Sequence, residues 1–373
     1  MPELPYSAKL PVQYLAAGFD NITNSYKFYW FLAILESIKE TNSRFIPLDY
    51  LLAKMIASVW YPTNYFYLSF GKQDRLSQIA LNLKEESRLA VDAKHVEVSD
   101  AVLAQLLDNS ALSNEIVSLG RFVPYRFLRP FFATELRGEK DYKINGLVIE
   151  LAGSGFSNPE NLCLYRFVGH PENGIELQND WFEYLQQHLT ILLGFCLWHL
   201  LNYLQKNNPN VPNIASKLFE PEQRDLKQAR NFWRLAFDQL GTIDCIYSGQ
   251  AMQKDNFSLD HFLPWRFVTH DLLWNIVPTP KNVNSAKSDN LPAVNAYFVP
   301  FAKLQYTAFQ TVAKLRKQKL LEDYVLLFKK RDIDEVKALS ADQFTALLHD
   351  TIVPQMQIAQ NMGFTADWSY IAP

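Results

Sequence analysis

Between Asp260 and Pro292 the chain reads DHFLPWRFVTHDLLWNIVPTPKNVNSAKSDNLP, and this stretch restricts its folding most. An adjacent acid and imidazole, Asp260 and His261, precede two asparagines, Asn275 and Asn284, and a lysine, Lys287, all set among large apolar neighbours. A segment this small has to close around its polar groups, and the chain offers few covalent aids. Its three cysteines, Cys163, Cys196 and Cys245, lie far apart, which provides neither a disulfide framework nor a four-cysteine zinc site. Structural zinc is not expected. Packing has to do the closing, so Trp265, Phe267 and Trp274 are read as core groups in preference to base-stacking platforms.

A chain of 373 residues that is 48% hydrophobic and 14% aromatic has material for two or three domains with real cores, and general disorder is excluded. Its formal net charge of -3 gives no global attraction to nucleic acid, so a grip on DNA has to come from local basic faces. The opening MPELPYSAKLPVQYLAAGF lacks the basic start, apolar core and cleavage site of a signal peptide. The most apolar run, Leu189 to Leu204, is interrupted by His199 and Asn202 and is short for a bilayer. It reads as a buried helix in a cytoplasmic protein with no membrane partner.

Hydrophobic periodicity predicts a mainly α fold with a small β portion. Ser25 to Lys39, Pro47 to Trp60 and Ser99 to Leu107 carry helical patterns in an N-terminal domain over 1–120. Residues 121–178 read as a small β-containing segment, with runs at Leu147 to Leu151 and Leu162 to Val168 separated by the turn-forming GSGFSNPEN. Long helices fill 179–241: one from Asp180 to about Lys206, and one following Pro221 and ending at Gly241. A compact segment covers 242–293. A helical C-terminal region follows over 294–373, with Pro300 and Pro354 marking kinks or breaks.

The order of Asp260, His261, Asn275, Asn284 and the KSDN-Leu-Pro ending resembles the HNH nucleases, most closely the HNH domain of RNA-guided CRISPR effectors. Cys245-Ile-Tyr-Ser-Gly249 extends the likeness, which covers about residues 243–292. The resemblance implies a ββα-metal finger carried on a helical body, with strands near Ser258 to His261 and Leu273 to Val277 and a helix beginning near Val283. It implies His261 as general base, Asp260 and Asn284 as ligands of one Mg²⁺ or Mn²⁺, and Asn275 as the group that shapes the loop. These role types are physically sensible, since imidazole titrates near ~6.5 and hard oxygen donors favour such cations. Lys287, three residues after Asn284 on the expected helix, would share its face and could meet a substrate phosphate. His270 is read as a surface or packing residue.

Three basic groups are candidates for the phosphate backbone. Lys227, Arg230 and Arg234 recur on one helical face. Lys314, Arg316 and Lys317 begin the most basic stretch. Arg121, Arg126 and Arg129 alternate with aromatics, where core-margin packing is an equal reading. The leading expectation is a metal-dependent DNA endonuclease that nicks or cuts. Association with how such proteins are used suggests bacterial restriction or phage defence, with a homo-oligomer or a defence partner. The alternative is a non-catalytic nucleic-acid-binding or assembly protein that keeps the finger as a scaffold.

Overall fold

The computed structural model describes residues 3–20, 22–108, 110–157, 162–169, 173–221, 224–315 and 317–372. Contacts divide it into two compact units, Met1–Pro209 with Ile214–Glu220, and Asn210–Asn213 with Pro221–Pro373. Both are mainly helical, with small antiparallel sheets, as the periodicity predicts. No helix among the described residues is long and apolar enough to cross a membrane.

In the first unit, helix Tyr26–Thr41 is buried around most of its circumference, from Phe28 through Leu35 and at Ile38. Such a helix needs partners on several sides, and Leu48–Trp60 and Leu189–Asn207 both pack on it. Strand Gly174–Leu177 is the middle of a three-stranded antiparallel sheet, between Phe45–Pro47 and Tyr165–Val168. Position 174 is glycine for a steric reason: a Cβ there would run into the Ile46 carbonyl.

Two sequence expectations change here. Leu147 to Leu151 is helical, inside Asp141–Gly155, because Ile144, Val148 and Ala152 repeat every four residues and bury one face. Gly153 to Gly155 ends that helix rather than forming the expected turn, and Asn158 to Asn161 lie outside the described residues. The helix expected from Asp180 to about Lys206 is two helices, Asn179–Gln187 and Leu189–Asn207, parted at His188 (φ -109°, ψ 16°).

The second unit opens with helix Lys227–Leu240, which starts later than Pro221 suggested and ends at Gly241 with φ 77°. Helix Val294–Ala313 packs on both Lys227–Leu240 and Ala341–Asn361. Pro300 and Pro354 lie inside continuous helices, so neither breaks the chain. These helices brace the segment between them through hydrogen bonds: Trp233 Nε1 and Gln305 Nε2 both donate to the Ile276 carbonyl, at 3.1 and 2.8 Å. Tyr324 in turn donates to Gln305 Oε1 at 2.6 Å, which fixes the amide's orientation.

Candidate active site

Strand Ser258–His261 pairs antiparallel with Ile276–Thr279, placing Asp260 opposite Val277 and His261 opposite Ile276. Short helix Lys281–Lys287 packs across the first strand. The first strand falls where the resemblance placed it; the second starts three residues later than expected. Leu273–Asn275 forms a 3-10 turn instead, pinned by Asp323, whose carboxylate accepts from the Leu273 N–H at 2.9 Å. The helix begins at Lys281 because Pro280 supplies an extended residue just before it (φ -62°, ψ 146°).

Asn275 is fully buried and spans the loop. Its Oδ1 accepts from the Leu263 N–H at 2.8 Å and its Nδ2 donates to the Leu263 carbonyl at 2.9 Å. Both faces of the amide are used on one backbone position, so the chain after His261 has a fixed course.

The two neighbours meet different partners. Asp260 accepts from the Tyr247 hydroxyl at 2.8 Å and from Lys287 Nζ at 3.2 Å. Burial, and then the Asp260 charge, push the Tyr247 hydroxyl well above its usual range, so it remains a donor. His261 Nε2 lies 2.8 Å from Asp271 Oδ1. An ionised carboxylate can only accept, which puts the imidazole proton on Nε2 and leaves Nδ1 as the free base. Asp260 and His261 are 3% and 4% exposed, so in this form bulk solvent barely reaches either.

Lys287 corrects the sequence reading. It shares a face with Asn284, as the three-residue spacing implies, but that face packs on the strand and not on solvent. Asn284 Nδ2 donates to the Leu259 carbonyl at 3.2 Å, and Lys287 Nζ to the His261 carbonyl at 2.7 Å. Lys287 is completely buried, so here it clamps Asp260 and the strand and does not face a substrate phosphate.

Sequence reasoning missed Tyr247 and Asp271. Tyr247 lies within the Cys245 to Gly249 segment but gave no sign of its target, while Asp271 reaches His261 from ten positions further along the chain, a return that spacing does not resolve. His270, by contrast, packs its ring 5.3 Å from Trp274. Phe267 and Trp274 are core groups, whereas Trp265 is half-buried beneath Arg224.

Asp260 and Asn284 pass a chemical test as ligands of a hard divalent cation. With its Nδ2 committed to Leu259, Asn284 turns Oδ1 the other way, and each Asp260 oxygen has one donor and a second lone pair. Two such oxygens leave positions for water and phosphate. Among the described residues no group of three or more His, Cys, Asp or Glu side chains could hold a metal.

Lys227 and Lys317 line the same open cleft of about 890 Å³, together with Lys319, Glu322 and Asp323. Arg234 and Lys314 are exposed outside that lining; Arg230 is half-buried, over the Phe257 ring at 5.4 Å. Arg316 lies outside the described residues. Arg126 and Arg129 both pair with Asp141, at 3.4 and 2.8 Å, and Arg126 covers Phe122, so packing accounts for them.

Residues 245–293 match a protein-family model described as an HNH endonuclease. The match covers the strands and helix that carry Asp260, His261, Asn275, Asn284 and Lys287, and leaves the helical remainder unassigned. No curated protein and no solved structure matches the chain.

Proposed function

We propose that the protein is a metal-dependent endonuclease that hydrolyses DNA phosphodiester bonds at the finger. The observation that carries this reading is the placement of Asp260, His261 and Asn284 on one strand and helix, within the segment that matches the HNH endonucleases. His261, through Nδ1, takes the proton of the attacking water, and Asp271 on Nε2 holds the ring in that tautomer. Asp260 and Asn284 would hold Mg²⁺ or Mn²⁺, which when bound offsets charge developing on the phosphate. Tyr247 and Lys287 orient the Asp260 carboxylate, and Asn275 fixes the loop behind His261. The cleft bearing Lys227, Lys317 and Lys319 supplies a grip on the backbone that the net charge of -3 does not. One such site cuts one strand at a time, so a double-strand break requires a dimer or two events.

The burial of Asp260 and His261 favours the second reading, a non-catalytic nucleic-acid-binding or assembly protein that retains the finger as a scaffold. Supercoiled plasmid, with and without Mg²⁺ or Mn²⁺, separates the two. Nicking that requires the metal and is lost in His261→Ala supports the enzyme. Absence of cleavage on plasmid, single-stranded and modified DNA would leave the scaffold.

A further inference from the structure

The first unit contains a cavity that nuclease chemistry does not use. Its volume is about 250 Å³, and Leu32, Leu35, Leu193 and Leu197 contribute an apolar wall. Glu36, Ser58 and His95 meet among its lining: Ser58 Oγ lies 3.3 Å from His95 Nε2, which in turn lies 3.7 Å from Glu36 Oε2.

The Glu36 carboxyl has no hydrogen bond among the described residues. The nearby Lys54 ammonium is spent on Glu40, at 2.6 Å. Burial pushes Glu36 up to about 7 and His95 down to about 4, so the neighbouring imidazole is neutral at physiological pH and supplies no compensating charge. Tyr29, also in the lining, carries a buried hydroxyl with no partner among the described residues. A carboxyl partly withdrawn from water without a donor carries a desolvation cost, and a mainly apolar cleft with a few convergent polar groups is the usual form of a small-molecule site.

We propose that this cavity binds a small organic cation, a primary ammonium on a compact apolar body, with the ammonium on Glu36 and Ser58 and the body against the leucines. An ammonium has three donors; the Glu36 carboxylate accepts from it, and so does the Ser58 oxygen, whose own proton goes to the Lys54 carbonyl at 2.9 Å. An anionic ligand would meet Glu36 and Glu220, which outnumber Lys39 in the lining. Size also restricts the body: an apolar cavity of about 150 Å³ holds benzene, so this one accepts a ring with a short chain. The site rests on the first unit alone and stands or falls independently of the nuclease reading.

The test is calorimetry on the full chain at pH 8 with phenethylammonium chloride, 2-phenylethanol and phenylacetate, which share a body and differ in the head. The ammonium should bind about ten-fold or more tightly than the alcohol, and phenylacetate should not bind. Glu36→Gln should remove that preference. Leu197→Trp, which fills the cavity, should abolish binding while the protein still unfolds cooperatively. No binding of the ammonium at millimolar concentration, equal affinity for the alcohol, or undiminished binding in Leu197→Trp overturns the site. If Glu36→Gln fails to fold, the contrast between heads in the unaltered protein and the Leu197→Trp result decide it.

Discussion

Asp260, on the strand of the finger, accepts hydrogen bonds from Tyr247 and Lys287. Glu36, on a helix of the first unit, has no hydrogen bond among the described residues and meets the His95 ring at 3.7 Å. Both acids are withdrawn from bulk water, Asp260 to 4% side-chain exposure and Glu36 to 32%. Desolvation alone raises a carboxyl's proton affinity, whereas donors offset that cost. The finger therefore contains a carboxylate held by partners, and the helical unit contains one left to desolvation, pushed up to about 7. A buried carboxylate with dedicated donors suits a site built for chemistry, and a partly exposed one without them suits a site that is completed by a ligand.

The largest expected effect is on turnover. His261→Ala should lower plasmid nicking by about 10²–10⁴-fold while circular dichroism and the unfolding midpoint stay near those of the parent. Equal nicking rates would remove His261 as the base. Lys287→Met tests the paired side of the comparison: it leaves Asp260 buried without its ammonium and should cost about 3–5 kcal/mol in urea unfolding. Adding Asp260→Asn should return most of that loss, and a cost below about 1 kcal/mol would mean that the pair is wetter than its burial implies.

Smaller effects sharpen the roles. Asp271→Asn should reduce nicking about 10–100-fold, as loss of an orienting partner does, with Asp271→Glu recovering part of it. Asn284→Ala should raise the Mg²⁺ concentration needed for half-maximal nicking about ten-fold and be rescued by excess metal; insensitivity to metal concentration would remove Asn284 from the ligand set.

The smallest effect probes Glu36. Its folded value of about 7 exceeds the ordinary 4.5, so the folded state binds the extra proton and stability falls as pH rises from about 4.5 to 7. His95, pushed down to about 4, acts in the opposite direction below its ordinary 6.5. The difference between parent and Glu36→Gln cancels the His95 contribution. That difference should move against the parent by on the order of 1–2 kcal/mol across the window, discounted for the exposed third of the side chain. A flat difference would show that Glu36 is solvated in the folded state.

Much of the finger was legible because its information is local. Strand Ser258–His261 and the helix that carries Asn284 and Lys287 stand where the resemblance to HNH nucleases implied them, because that motif is contiguous in sequence. Helix Asp141–Gly155 was misread because Leu147 to Leu151 is rich in β-forming residues while its burial repeats every four. The later start of the second strand depends on Asp323, about fifty residues away, holding Leu273.

By itself the sequence determined that the chain is mainly helical, that its net charge gives no general attraction to DNA, and that an acid, an imidazole and two asparagines share one small segment. Only the tertiary structure decided where those groups point. Lys287 turns inward because its helix lies on the strand, and Asp271 reaches His261 because Asn275 fixes the loop between them. Glu36, Ser58 and His95 meet because three helices of unrelated sequence position converge. Spacing along a chain gives the face of an element, but what that face meets is set by packing with distant elements.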